Sequence, residues 1–114
     1  MNEKAIALLT GKEALVTDLS TGLELLMAVR HEAGAERLAA SKDVFCEGFF
    51  SLRSGLAGEI LQKFINYHVK LAIYGDFSQY TSQALHDFIY ECNKGKDVFF
   101  TATKEEAIQR LAAV

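Results

Sequence analysis

The sequence predicts one α/β domain, built from a single mixed β-sheet of about five strands and about four helices. The chain has 114 residues, which is enough for one domain with its own core. Half of the residues are hydrophobic, so a disordered chain is excluded. Short apolar runs alternate with stretches of helical periodicity, a pattern typical of parallel strands joined by right-handed crossovers. We therefore expect a single domain over residues 1–114, in which an antiparallel hairpin precedes the parallel strands.

The composition argues against several classes of protein. The formal net charge of −3 at pH 7 gives no indication of the basic surface that binds nucleic acid. No apolar run is long enough to cross a membrane, and Met1 to Lys4 lack the pattern of a secretory signal. Cys46 and Cys92 are too few for a disulfide scaffold and are expected to be buried thiols. We therefore expect a cytoplasmic protein without nucleic-acid or membrane partners.

The beginning of the chain predicts the hairpin. Residues 5–10 and 13–17 are short apolar runs on either side of Gly11 and Lys12. Glycine adopts the positive φ of a tight turn without steric cost, so the two runs are expected to pair through this turn. Alanine and leucine are indifferent strand formers, and the prediction therefore depends mainly on the turn.

A helix and a weaker strand follow the hairpin. Thr21 and Glu24 match a capping box, which predicts a helix that ends shortly before a left-handed Gly34. Residues 37–41 are the weakest strand candidate, because mainly their position between two helices favours a strand. Residues 41–46 are then typical of a capped helical turn.

The stretch from residue 49 to residue 67 organises the chain. Two phenylalanines enter a polar turn at residues 51–55, and an amphipathic helix begins at Gly55. Apolar residues recur on one face of this helix with helical spacing. They are Ala57, Ile60, Leu61, Phe64 and Ile65. We expect this face to pack against the core.

The second half of the chain contains the clearest strand. Residues 69–74 place apolar side chains at alternate positions and predict a central, buried strand. A third helix is expected from about Thr81 or Ser82 until Gly95 stops it, followed by a last strand over residues 96–102. Thr103 and Glu106 match a second capping box, which predicts a short C-terminal helix.

Residues 49–64, 71–78 and 87–93 together resemble the signature of a small bacterial family known as domain of unknown function 4180. The resemblance covers most of the chain. It implies membership of that family and a bacterial origin. The family carries no established activity, so the resemblance implies no mechanism.

The order of elements and the turn at residues 53–56, Arg-Ser-Gly-Leu, also resemble STAS domains, the fold of anti-sigma-factor antagonists and of transporter regulatory tails. In that family the serine before glycine in an Asp-Ser-Ser-Gly-Leu turn can be phosphorylated. The resemblance therefore implies that Ser54 is the modifiable serine. The aspartate and the first serine of the family's turn fall on Leu52 and Arg53, so this chain lacks the acidic lining of the phosphorylation site.

Polar side chains are expected to meet beyond the carboxyl ends of the parallel strands, where open α/β sheets bind ligands. The predicted site at this edge consists of Ser51, Arg53, Ser54, Asp76, Ser78, Thr101 and Thr103. Two interpretations remain open: these residues form a regulatory or ligand-binding crevice, or they are ordinary helix caps and loop residues. No zinc-helix, P-loop or catalytic motif occurs in the sequence, so we predict no catalytic residue, no metal site and no cofactor.

Three functional hypotheses follow from these observations. The leading one is a non-enzymatic, STAS-like interaction or regulatory module, switched at the Ser-Gly-Leu turn. The alternative is a small-molecule-binding protein, or an unrecognised enzyme, that uses the crevice at the strand ends. The third hypothesis is a stress-related accessory protein that acts only as an oligomer.

A homodimer is expected if helices cover mainly one face of the sheet. Tyr74 and Phe99 would then be exposed on the other face, and exposed apolar patches commonly mark partner surfaces. The competing interpretation is that a helix covers this face as well.

Ser54 is expected to cap the helix that follows it. Ser54→Asp should therefore restore most of the stability that Ser54→Ala removes, because the carboxylate is again an acceptor at the positive helix end.

Overall fold

Four parallel strands form the sheet at the centre of the molecule. The structure, a computed structural model, describes residues 5–114. Its strands are β1 (Ile6–Leu9), β2 (Arg37–Ser41), β3 (Lys70–Tyr74) and β4 (Val98–Thr101). Their spatial order is β1-β2-β3-β4, and every neighbouring pair is parallel. The weakest strand candidate is thus a central strand, because its three middle residues are buried regardless of their modest β-propensity.

Four α-helices connect and flank these strands. They are α1 (Leu19–Met27), α2 (Leu56–Asn66), α3 (Gln83–Lys94) and α4 (Lys104–Ala112). A π-helical turn over Ala28–Glu32 prolongs α1, and Gly34 takes a φ of 63° soon after it, as a left-handed stop requires. Three 3-10 turns lie between β2 and α2, at Lys42–Val44, Glu47–Phe50 and Leu52–Ser54. The predicted α/β class and the number of helices are confirmed. No helix within residues 5–114 has the length and apolar character that a membrane span needs.

The predicted opening hairpin is wrong, and with it the fifth strand. Only β1 forms in this region, and it pairs parallel with β2. The second apolar run lies beyond the carboxyl end of β2, where Val16 forms an isolated parallel bridge with Phe45. Val16 is completely buried at that position, whereas Leu15 beside it is exposed. Burial of the Val16 side chain in the main core therefore outweighs local pairing through Gly11.

Helix α1 begins earlier than its sequence signature suggests, because Asp18 caps it. The Asp18 carboxylate accepts from the N–H of Thr21 at 2.9 Å, and the Thr21 hydroxyl oxygen accepts from the N–H of Asp18 at 3.0 Å. The two residues form a reciprocal capping box, in which Thr21 has the role that the sequence assigned to Glu24. The backbone and side-chain donors of Thr21 lower the pKa of the Asp18 carboxyl.

This capping box predicts a loss of stability at low pH. A carboxyl whose pKa is lowered in the folded state stabilises the fold above its unfolded-state pKa, and this contribution is lost as the pH falls through the folded-state pKa. Asp18→Asn keeps an oxygen acceptor but does not titrate. We therefore expect the free energy of unfolding to fall more steeply below about pH 4 in the wild type than in Asp18→Asn. Urea unfolding of both proteins across this range measures the difference, and identical pH profiles would contradict it.

Side chains alternate along the strands into two cores. On one face, α1, α2 and α3 pack over Leu38, Leu71 and Ile73. On the other face, α4 covers the sheet, and the core there consists of Ala39, Ala72, Phe99, Ala107 and Leu111. The three connecting helices share a face because each right-handed crossover moves one strand in the same direction.

The patch expected at Tyr74 and Phe99 is not an exposed surface. Phe99 is buried beneath α4, and the guanidinium carbon of Arg110 lies 4.3 Å from the centroid of its ring. Tyr74 is partly buried in the same core. The competing interpretation, in which a helix covers this face, is correct. This face therefore no longer supports a homodimer.

Candidate functional site

A crevice of about 560 Å³ opens between the two loops that follow β2 and β3. Both loops leave the carboxyl ends of their strands, so the crevice lies at the edge of the sheet where the sequence predicts a site. We call it the loop crevice. Its polar lining residues are Glu47, Ser51, Arg53, Tyr80, Thr81 and Ser82.

Aromatic rings hold the two walls of the loop crevice together. The 3-10 turn at Glu47–Phe50 buries Phe49 and Phe50, as the sequence predicts. The ring of Phe50 stacks on that of Tyr80, with centroids 5.2 Å apart, and lies 6.0 Å from the ring of Phe77. These contacts join the loop after β2 to the loop after β3, and they are strongest when the rings exclude water.

The start of α3 brings a positive helix end to one wall. The hydroxyl oxygen of Ser82 caps this helix by accepting from the N–H of Leu85 at 3.2 Å. The first turn of α3 contains no acidic residue, so nothing in that turn offsets the helix dipole. Arg53 lines the same crevice, together with Glu47 of opposite charge. This combination is chemically suited to a carboxylate or phosphate group.

The Ser54 hydroxyl fixes the turn beside the loop crevice. It donates to the carbonyl oxygens of Gly48 at 2.7 Å and of Ser51 at 2.9 Å. Its oxygen accepts from the N–H of Leu56, the first residue of α2, at 3.1 Å. Ser54 is exposed and lies at the start of the helix, as the sequence predicts, although Gly55, with a φ of 75°, stands between it and α2. One hydroxyl thus connects the two 3-10 turns to the helix.

The stability of this turn is expected to require a hydroxyl at position 54. Ser54→Ala removes the donor and the acceptor and should lower the free energy of unfolding by about 0.5–2 kcal/mol, whereas Ser54→Thr should retain most of it. The structure changes the sequence-based expectation for Ser54→Asp. A carboxylate accepts from Leu56 but cannot donate to the two carbonyl oxygens, so Ser54→Asp should be no more stable than Ser54→Ala.

Urea unfolding of the three variants measures these differences. Ser20→Ala is the matched control, because Ser20 is exposed within α1 and its replacement should change the free energy of unfolding by no more than about 0.5 kcal/mol. If Ser54→Asp is as stable as the wild type, the donated hydrogen bonds contribute nothing.

The predicted site residues fall into three separate places. Ser51 and Arg53 line the loop crevice, and Ser54 lies one residue beyond Arg53. Asp76 and Ser78 form a local turn, in which the N–H and the hydroxyl of Ser78 donate to the Asp76 carboxylate at 2.9 and 2.6 Å. Both hydrogen bonds lower the pKa of the Asp76 carboxyl, and the one from the hydroxyl has the larger effect. The carboxylate is therefore already satisfied within its own loop.

Thr101 and Thr103 belong to the start of α4 instead. The Thr101 hydroxyl donates to the carbonyl oxygen of Thr103 at 2.9 Å, and the Thr103 oxygen accepts from the N–H of Glu106 at 3.2 Å. The predicted cap at Thr103 is confirmed. Thr103 therefore caps α4, and the hydroxyl of Thr101, at the end of β4, hydrogen-bonds to the backbone of this cap. Neither residue lines the loop crevice.

The predicted site did not include residues 80–82, which line the loop crevice, or Lys42, which lies beside Tyr80. The Lys42 side chain is only 14% exposed, and its amine lies 3.6 Å from Asp43 Oδ1 and 5.5 Å from the centroid of the Tyr80 ring. Its stem packs against Gly75, where an added Cβ would lie 2.7 Å from Lys42 Cγ. The sequence marked Ser82 as a possible helix start, but nothing in it indicated that this helix end lines the same crevice as Arg53.

The described residues offer little for nucleophilic or metal chemistry. Burial, followed by the charge of Glu91, raises the pKa of the Cys92 thiol to about 11, so this thiol is protonated at neutral pH. The ring nitrogen Nε2 of His86 donates to the carbonyl oxygen of Tyr80 at 2.6 Å, which leaves it poorly placed as a base. Within residues 5–114, no three His, Cys, Asp or Glu side chains are grouped to hold a metal ion.

The chain was also compared with known proteins. One family model matches residues 1–111, and its description is domain of unknown function (DUF4180). No curated protein and no solved structure matches the chain. The resemblance to STAS domains stays a prediction.

Proposed function

The chain belongs to the domain of unknown function 4180 family, as residues 49–64, 71–78 and 87–93 predicted, and we propose that this member is a non-enzymatic regulatory module that binds a partner protein in the loop crevice. The family's description names no activity, so the proposal is based on the geometry of the chain. In this proposal the module is STAS-like, and the Ser54 turn controls whether the partner binds.

The hydrogen bonds of Ser54 carry this proposal. The hydroxyl is exposed, yet it donates to carbonyl oxygens of Gly48 and Ser51, in the segment that forms one wall of the crevice. Phosphorylation replaces the donated hydrogen and adds a charge of about −1.5 to −2. The phosphate is repelled by the two carbonyl oxygens, while the start of α2 and the Arg53 guanidinium attract it. The turn therefore has to rearrange, and the wall of the crevice moves with it.

Quantitative affinity capture from cells of the source organism tests the proposal. We expect one partner to be retained by the wild type and by Ser54→Thr, and to bind at least about tenfold more weakly to Ser54→Asp and Arg53→Glu, a loss of about 1.4 kcal/mol. Lys96→Glu is the matched control, because Lys96 is exposed and follows α3 at the opposite end of the sheet. Titration of the purified partner gives the dissociation constants. Equal binding to all five proteins would contradict the proposal.

A small anionic molecule in the same crevice is the second candidate. The volume of about 560 Å³ lies within the range of small-molecule sites, and both the positive start of α3 and Arg53 line it. Tyr80 also lines the crevice and adds an aromatic ring to its wall. An enzyme acting in this crevice is the remaining alternative.

Amide chemical shifts separate the two candidates. A panel of small carboxylates and phosphates is expected to shift the resonances of Arg53 and of residues 81–84 if the occupant is a small molecule, and to leave them unchanged if only a protein surface binds there. Turnover of a bound compound would indicate an enzyme.

The proposal includes a bacterial, cytoplasmic setting without cofactor or nucleic acid. The net charge of −3 supports the exclusion of nucleic acid. Cys46 and Cys92 are both free thiols, as is usual in a reducing compartment. Detection of the tagged protein in cell fractions tests the location.

A further inference from the structure

We propose that two copies of this chain associate through the free edge of β1 and join their sheets across a two-fold axis. β1 is an edge strand, and within residues 5–114 its backbone pairs only with β2. The N–H and C=O groups on the outer side of an edge strand are a template for pairing with another strand. This surface is separate from the loop crevice, so the inference does not depend on the proposed function.

The opposite edge of the sheet is closed by a side chain. Asn93 of α3 lies beside β4, where its Oδ1 accepts from the N–H of Phe100 at 2.8 Å and its Nδ2 donates to the carbonyl oxygen of Phe100 at 3.1 Å. Arg110 donates to the carbonyl oxygen of Asn93 at 2.6 Å and helps to hold it in place. The amide thus occupies the position of a neighbouring strand. Within residues 5–114 no side chain forms a hydrogen bond of this kind with the backbone of β1, so the outer side of this strand is open to association in the part of the chain that the structure describes.

An apolar groove of about 380 Å³ lies beside the open edge. The groove has β1 on one side and α1 with its π-helical turn on the other. Its larger apolar lining residues are Leu8, Leu9, Leu25, Val29 and Leu38. Glu32 is the one charged residue among the described residues that line it. Leu8, which is 53% exposed, lies on the open edge with its side chain on the α4 side of the sheet, since it pairs with Ala39. A leucine from a second β1 matches the chemistry of the groove.

The charge of the segment favours a second copy as the occupant. Residues 5–11 contain no charged side chain. In a two-fold arrangement the two β1 strands run antiparallel, and identical neutral, apolar segments meet without like-charge repulsion. A strongly charged partner strand finds no counter-charge along this edge. Two-fold interfaces are also the commonest form of self-association.

Light scattering of the purified chain from about 1 to about 100 μM tests the proposal. We expect the wild type to approach twice the chain mass of 12.6 kDa. A glutamate at the open edge blocks strand pairing, so Leu8→Glu should raise the dimer dissociation constant at least about tenfold. Tyr90→Glu is the control, because Tyr90 is 64% exposed on α3, beside the closed half of the sheet, and this variant should dimerise like the wild type.

Hydrogen exchange of the wild type gives a second measurement that needs no variant. Between the lowest and highest concentrations, amides of β1 should exchange at least about tenfold more slowly, whereas those of β4 should not change. A wild type that stays monomeric at the highest concentration overturns the proposal. The proposal is also overturned if Leu8→Glu and Tyr90→Glu weaken the dimer equally and the protection of the β1 amides does not depend on protein concentration.

Discussion

Phe64→Ala is expected to lower the free energy of unfolding by about 3–5 kcal/mol, which is most of the stability of a domain of this size. Phe64 is 1% exposed on the buried face of α2 and packs in the core between α2 and the sheet. Truncation removes the transfer free energy of the ring and leaves a cavity, because the rigid sheet on one side cannot collapse to fill it.

Urea unfolding followed by circular dichroism measures this loss. Tyr67→Ala is a suitable control, because Tyr67 directly follows α2 and its side chain is 45% exposed. The control should lose less than about 1 kcal/mol. A loss below about 1 kcal/mol for Phe64→Ala itself would show that the site is not a packed core position.

Asn93→Leu is expected to have the second-largest effect, a loss of about 2–4 kcal/mol. The Asn93 amide makes two hydrogen bonds to the backbone of Phe100, a residue that is buried. Leucine has a similar size but no polar atoms, so the N–H and C=O of Phe100 lose their partners. Each buried backbone group without a partner costs about 1–3 kcal/mol.

Two further variants define the origin of this loss. Asn93→Asp keeps an acceptor for the N–H of Phe100 but loses the donor, so its stability should lie between those of the wild type and Asn93→Leu. Asn66→Leu is the matched control, because Asn66 is exposed at the end of α2 and accepts only from the Gln62 side chain. Equal stabilities for Asn93→Leu and Asn66→Leu would mean that Phe100 finds other partners.

The sequence predicted the edge of the sheet at which the loop crevice lies, but only some of the residues that line it. It placed Ser51 and Arg53 at the carboxyl edge of the sheet, where the loop crevice lies. It also added Thr103, which caps α4 on the opposite face, and Thr101, which hydrogen-bonds to the backbone of Thr103. Strand order brings loop ends to one edge, but the face toward which each loop turns depends on the helix that follows it. That choice is not visible in the local pattern.

The sequence by itself determined those elements whose stability is local. The apolar stripe of α2, the alternation along β3 and the cap of α4 at Thr103 each depend on residues within a few positions of one another. In α2 the stripe is buried as predicted except at Ile65, which lies at its exposed margin. These features need no information from distant parts of the chain.

Tertiary structure alone decided the rest. Val16 leaves the expected hairpin because Phe45 and the core offer it complete burial, and Phe99 is covered because α4 returns across the sheet. Asn93 closes the edge of β4, and the start of α3 comes to line the same crevice as Arg53, only after the strands have assembled. Each of these contacts joins segments that are distant in sequence. Their free energy comes from burial and from hydrogen bonds between such segments. A local hydrophobic pattern with a period of two or 3.6 residues contains no information about these contacts.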